Sequence, residues 1–89
     1  MDKNNQKSEQ FRELLEQNYQ WPDYYVWKFI VKIEIQDHVL THLSSHEVNV
    51  KVSEKGNYVS ISARKLVTNT DEVLEVYEII SRINGVMSL

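Results

Sequence analysis

Two spacings of apolar residues alternate along the chain. Phe11, Leu14, Leu15 and Tyr19 recur at intervals of three and four, with Asn18 in the same stripe and Glu9, Arg12, Glu13 and Glu16 pointing elsewhere. That spacing predicts a helix of about three turns, with Ser8 as its N-cap. Residues 1–7 are polar and without period, and read as a disordered tail. Trp21-Pro22 closes the helix, because proline excludes helical geometry at the residue before it. Tyr24 to Lys32 is dense in aromatic and β-branched residues, as suits a central strand. Its odd positions, Tyr25, Trp27, Phe29 and Val31, are uniformly large and apolar. The even ones are interrupted by Lys28 and Lys32, so the odd face is expected in the core.

Ile35, Val39 and Leu43, with Leu40 alongside, predict a short second helix that loosens at Ser44-Ser45. His46 to Ser53 alternates, with Val48, Val50 and Val52 on one face of a half-buried strand and Glu47, Asn49 and Lys51 on the other. Glu54-Lys55-Gly56-Asn57 supplies a turn in which Gly56 and Asn57 can take positive φ. Tyr58 to Val67 is the returning strand, with Val59, Ile61 and Ala63 inward. Thr68, Asn69 or Thr70 caps a third helix, whose buried stripe is Val73, Val76, Tyr77, Ile80 and Ile83. Asn84-Gly85 ends it, and Val86 to Leu89 suffices for a short edge strand.

The order is a helix followed by β-α-β-β-α-β. This predicts an α+β, ferredoxin-like βαββαβ sandwich: one four-stranded antiparallel sheet, and an additional N-terminal helix. Residues 8–89 form a single domain in this reading. Right-handed crossovers place the second and third helices on one face, leaving the other open. The N-terminal helix either packs beside them or covers that open face.

Composition narrows the function classes. The chain has 89 residues, 42% of them hydrophobic and 26% charged, with a net charge of −3. It holds no cysteine, which excludes disulfides, thiol nucleophiles and Cys-ligated zinc. No apolar run approaches the roughly 20 residues that cross a bilayer, and the polar N-terminus lacks a signal-peptide core. A cytoplasmic protein without membrane association is expected.

His38, His42 and His46 are spaced by four, but offer too few ligands for a structural zinc; no metal site is expected. Asp37-His38 with Ser44 or Ser45 lacks the strand-turn-helix setting that exposes a nucleophile. Gly56 and Gly85 are too far apart for a phosphate-binding loop. Neither catalysis nor a cofactor is therefore expected. The open face is the candidate surface. Parity places Tyr24, Val26, Lys28 and Ile30 there beside Tyr58, Ser60, Ser62 and Arg64, flanked by Glu47, Asn49 and Lys51.

Glu54-Lys55-Gly56-Asn57-Tyr58-Val59-Ser60-Ile61 resembles the Ser-Lys-Gly-Asn-Tyr signature hairpin of the YbeD-like bacterial proteins, with Glu54 where serine is common. Lys55, Gly56, Asn57 and Tyr58 carry the match. Trp21-Pro22, Lys28-Phe29-Ile30-Val31, Glu75-Val76-Tyr77-Glu78 and Val86-Met87-Ser88-Leu89 extend it over roughly residues 11–89. The resemblance implies a ferredoxin-like fold similar to ACT regulatory domains, and a lipoate-binding regulatory role. The Lys32-Ile33-Glu34-Ile35 connection departs from the ACT pattern, where a glycine lets backbone amides approach an amino acid.

These readings converge on a non-catalytic regulatory or interaction module. Its expected partner is a small acyl-type metabolite such as lipoate, or a protein, and a homodimer is a further expectation. Tyr24, Val26, Ile30 and Tyr58 would meet an apolar chain while Lys28 or Arg64 pairs with a carboxylate. The alternative is single-stranded nucleic acid across the same face. Net negative charge opposes it, as does Asn57 where an RNA-recognition motif places an aromatic residue.

Overall fold

The computed structural model describes residues 3–89, with side chains from Glu9 onward. Its elements are α1 (Lys3–Asn18), β1 (Asp23–Lys32), a 3₁₀ turn (Ile33–Ile35), α2 (Gln36–Thr41), β2 (Glu47–Val52), β3 (Tyr58–Val67), α3 (Thr70–Ser81) and β4 (Val86–Ser88). The strands form one sheet in the order β2-β3-β1-β4, with every neighbouring pair antiparallel. This is the expected ferredoxin-like arrangement.

The two inner strands build the core. Tyr25, Trp27, Phe29 and Val31 of β1 are buried beside Val59, Ile61, Ala63 and Val67 of β3, and Val39, Leu43, Val73 and Ile80 close over them from the helical side. Trp27 is fully buried, and its indole N–H donates to the Val73 carbonyl at 3.2 Å. The bond spares the one polar atom of that side chain the cost of being buried unpaired. Asn69 caps α3 by accepting from the Glu72 amide, as one of the three expected caps.

α1 lies on the helical side, against α3, and leaves the opposite sheet face open. Aromatic packing directs it there. Tyr19 stacks on Trp21 at 4.9 Å and meets Tyr25 edge-on, while Phe11 meets Tyr77 edge-on at 5.5 Å. Leu15 is buried with them, and Arg12 pairs with Asp71 at 2.6 Å. Leu14, expected in the apolar stripe, is exposed.

Several boundaries differ from expectation. α1 begins at Lys3, so Ser8 lies inside the helix rather than at its cap; Gln6 and Lys7 favour helix although they extend no apolar stripe. Met1 and Asp2 of the expected tail lie outside the described residues. The α1–β1 connection contains a cis Trp21-Pro22 bond. α2 ends at Thr41 after a 3₁₀ turn, although Leu43 beyond it is buried. β2 is not half-buried along its length: Val48 is partly covered, but Val50 is 38% and Val52 53% exposed. The helical layer covers β3 and β1 and stops short of this edge. Asn57 keeps negative φ, because Gly56 alone takes the left-handed position of the hairpin, at φ 75°.

Gly85 has φ 90°, and a methyl group on it would sit 3.1 Å from Ile35 Cδ1, whereas Gly56 has open space around it. Gly85→Ala should therefore cost more than the roughly 1 kcal/mol expected of left-handed strain alone at Gly56→Ala. Urea midpoints of the two variants measure this, and an equal loss would refute the packing role of Gly85.

Candidate functional site

Alternation along β1 sends every residue between the buried ones to the open face. Tyr24, Val26, Lys28 and Ile30 stand opposite Leu66, Arg64, Ser62 and Ser60 of β3, and Lys32 stands opposite Tyr58. β2 adds Glu47, Asn49 and Lys51, paired with Arg64, Ser62 and Ser60; β4 adds Met87 beside Ile30. All eight anticipated surface residues thus share one face. Lys32, Lys51, Leu66 and Met87 complete it. Parity already pointed to Lys32 and Lys51 and, two residues beyond Arg64, extends to Leu66, whereas Met87 becomes recognisable only through strand register.

The face is not one uniform surface. Tyr24 and Tyr58 lie at opposite ends, eight β1 positions apart, which is about 26 Å at strand rise. At one end Arg64 holds its guanidinium 3.8 Å above the Tyr24 ring and pairs with Glu47 at 3.1 Å. Arg64 thus already has two partners within its own chain, which leave several of its guanidinium donors free. The pair is exposed, so it contributes little stability; its effect is on where the charge sits. Among the described residues no salt bridge engages Lys28, Lys32 or Lys51.

The other end is concave. Ile30, Lys32, Tyr58, Gly85, Val86 and Met87 line an open, mainly apolar depression of about 220 Å³. That is below the roughly 300–1,000 Å³ of clefts that enclose drug-sized ligands, so it suits a short chain or the end of a longer one. The aliphatic stem of Lys32 lies against Gly85. Two backbone bonds brace the depression: the Lys32 amide donates to the Gly85 carbonyl, and the Ile33 amide to that of Asn57, each at 3.1 Å. The signature hairpin therefore acts structurally here. Its turn closes with the Gly56 amide on the Ser53 carbonyl, and Tyr58 alone of Lys55, Gly56, Asn57 and Tyr58 lines the depression.

The charges are unevenly distributed. Lys28, Lys32, Lys51 and Arg64 face the open side, and among the described strand residues on that face Glu47 is the one acid, although the whole chain carries −3. The helical side takes Glu34, Asp37, Asp71, Glu72, Glu75 and Glu78 from the 3₁₀ turn, α2 and α3, offset in part by Arg12, Lys65 and Arg82.

The histidines gather no ligand set. His38 and His42 lie edge to face at 5.3 Å, and no group of three metal-ligating side chains occurs among the described residues. His46 is not simply a residue at a strand start. Its ring packs edge-on against Trp27 at 4.9 Å, and both imidazole nitrogens are buried without a hydrogen-bond partner among the described residues.

The fold defines a small α+β protein of ferredoxin-like plan, with three helices on one sheet face and the other face open. Within that class, residues 28–89 match the family described as protein of unknown function (DUF493), and the chain belongs to it. The family agrees with the YbeD-like resemblance. No curated protein and no solved structure matches the chain significantly. Among the described residues no helix is long and apolar enough to cross a membrane.

Desolvation, reinforced by Lys65, holds the His46 pKa below its ordinary value. Near pH 7.5, about a unit above the ordinary histidine value, the ring is neutral in both folded and unfolded chains. Below that, the unfolded chain takes up the proton first, so stability falls with pH until the folded-state pKa is passed. Urea midpoints of the wild type should drop between pH 7.5 and 5.5, and His46→Phe should reduce that drop. An identical drop in the variant would remove His46 as its source.

Proposed function

We propose that the protein is a non-catalytic binding module that takes an acyl-type carboxylate, of the lipoate or octanoate kind, on the open sheet face. The observation that carries this reading is the apolar depression of Ile30, Tyr58 and Met87 edged by Lys32. It lies on a face where cations prevail in a chain of negative net charge. The depression desolvates a short hydrocarbon, and a lysine at its rim supplies a point charge for the carboxylate. Lys28 is the next cation along the strand. A ligand with this end-on pose does not reach Tyr24 or Val26, so the site is narrower than the whole face. Resemblance to the ACT plan supports a regulatory use, in which occupancy of the sheet alters contact with a partner protein.

The cations also support a second reading, single-stranded nucleic acid, whose phosphates they would neutralise. The separation of Tyr24 from Tyr58 weighs against it, since base recognition on such sheets relies on neighbouring rings.

Amide NMR spectra titrated with octanoate and with lipoate test the proposal. Saturable shifts are expected at Ile30, Lys32, Tyr58 and Met87, and Lys32→Ala should weaken binding about tenfold through loss of a charge-assisted contact. A folded spectrum unmoved by either acid overturns the acyl reading. Binding of an oligonucleotide that weakens steeply with added salt favours the second reading instead.

A further inference from the structure

β2 is a straight edge strand whose protection is limited to the charges of Glu47 and Lys51. It pairs with β3 on one side only, in unbroken register from Glu47↔Arg64 to Val52↔Val59, with neither bulge nor proline. On the helical side, its partner residues Val59, Ile61 and Ala63 are almost completely buried, whereas Val50 and Val52 are exposed. The hydrophobic layer thus runs out to the sheet edge and stops without a cover. On the open side, the strand presents Glu47, Asn49 and Lys51.

This pattern is complementary to itself. Strands related by a two-fold axis perpendicular to the sheet pair antiparallel and keep their faces, so only residues of like parity can oppose one another. In the register centred on Asn49, Glu47 stands opposite Lys51 of the second copy. Lys51 likewise meets Glu47, and Val48 meets Val50 on the helical side. We infer that the protein forms a homodimer through antiparallel β2–β2 pairing centred on Asn49, giving one continuous eight-stranded sheet. Opposite charges then face each other twice across the seam, valines cover valines, and the free backbone groups of both edges are paired. Glu47 meets Arg64 through Oε2, which leaves its other carboxylate oxygen for the lysine. The seam lies at the opposite sheet edge from β4 and the acyl depression, so either inference stands if the other fails.

The absence of native cysteine makes the register directly testable in the full chain. Opposed residues in an antiparallel pair have Cα atoms about 4.5–5.5 Å apart, within disulfide range. Asn49→Cys should therefore yield a disulfide-linked dimer on mild oxidation. Val52→Cys should not, since its two copies would be displaced about 20 Å along the strands. In sedimentation equilibrium, Glu47→Lys should weaken self-association roughly tenfold or more by opposing like charges, and adding Lys51→Glu should restore it. A protein that is monomeric at millimolar concentration overturns the inference. So does a dimer indifferent to Glu47→Lys, or one that cross-links as readily at position 52 as at 49.

Discussion

The open face exists because of what β1 must bury. Tyr25, Trp27, Phe29 and Val31 place an aromatic-rich surface on one side of the sheet, and Trp27 can be fully enclosed only if its N–H finds the Val73 carbonyl. That requirement sets α3 across the strand. α3 presents Tyr77, whose hydroxyl meets that of Tyr25 at 2.9 Å, and the pair is held protonated by burial. Phe11 and Tyr19 of α1 then pack on the same aromatic cluster. Once all three helices are gathered there, every even-numbered side chain of β1 is left facing outward. The exposed surface is thus a consequence of core packing, and needs no separate device to keep it clear.

Much of this followed from alternation alone. In β1 one parity was uniformly apolar and the other broken by lysine, so strand and inward face were both readable. Alternation is blind to position within a sheet, however. Val48, Val50 and Val52 look like the inward face of any strand, and only the order β2-β3-β1-β4 shows that they stand where the helical layer ends. The hairpin glycine was readable from its type, whereas Asn57 was only permitted a conformation that, within the hairpin, Gly56 alone adopts.

The candidate surface was readable as a set of residues but not as a shape. Parity put Tyr24 and Tyr58 on one face without saying that the antiparallel register sends them to opposite ends. Arg64 looked like a free cation because its partners, Glu47 and Tyr24, belong to other strands. Met87 could not be placed until β4 was aligned on Ile30. The burial of His46 gave no signal, since a histidine at a strand start is ordinary and its ring is covered by Trp27, from a different strand. In each case the missing information was long-range.

The depression is walled by β1, by the hairpin leading into β3 and by the turn into β4, laced together through the amides of Lys32 and Ile33. Segments so distant along the chain adopt this concave form only where β1 is paired with both β3 and β4. Its walls are therefore a product of long-range strand pairing rather than a local motif. Whatever occupies it favours the paired sheet over any form in which the hairpin or β4 has come away from β1, and by mass action adds its binding energy to that closure.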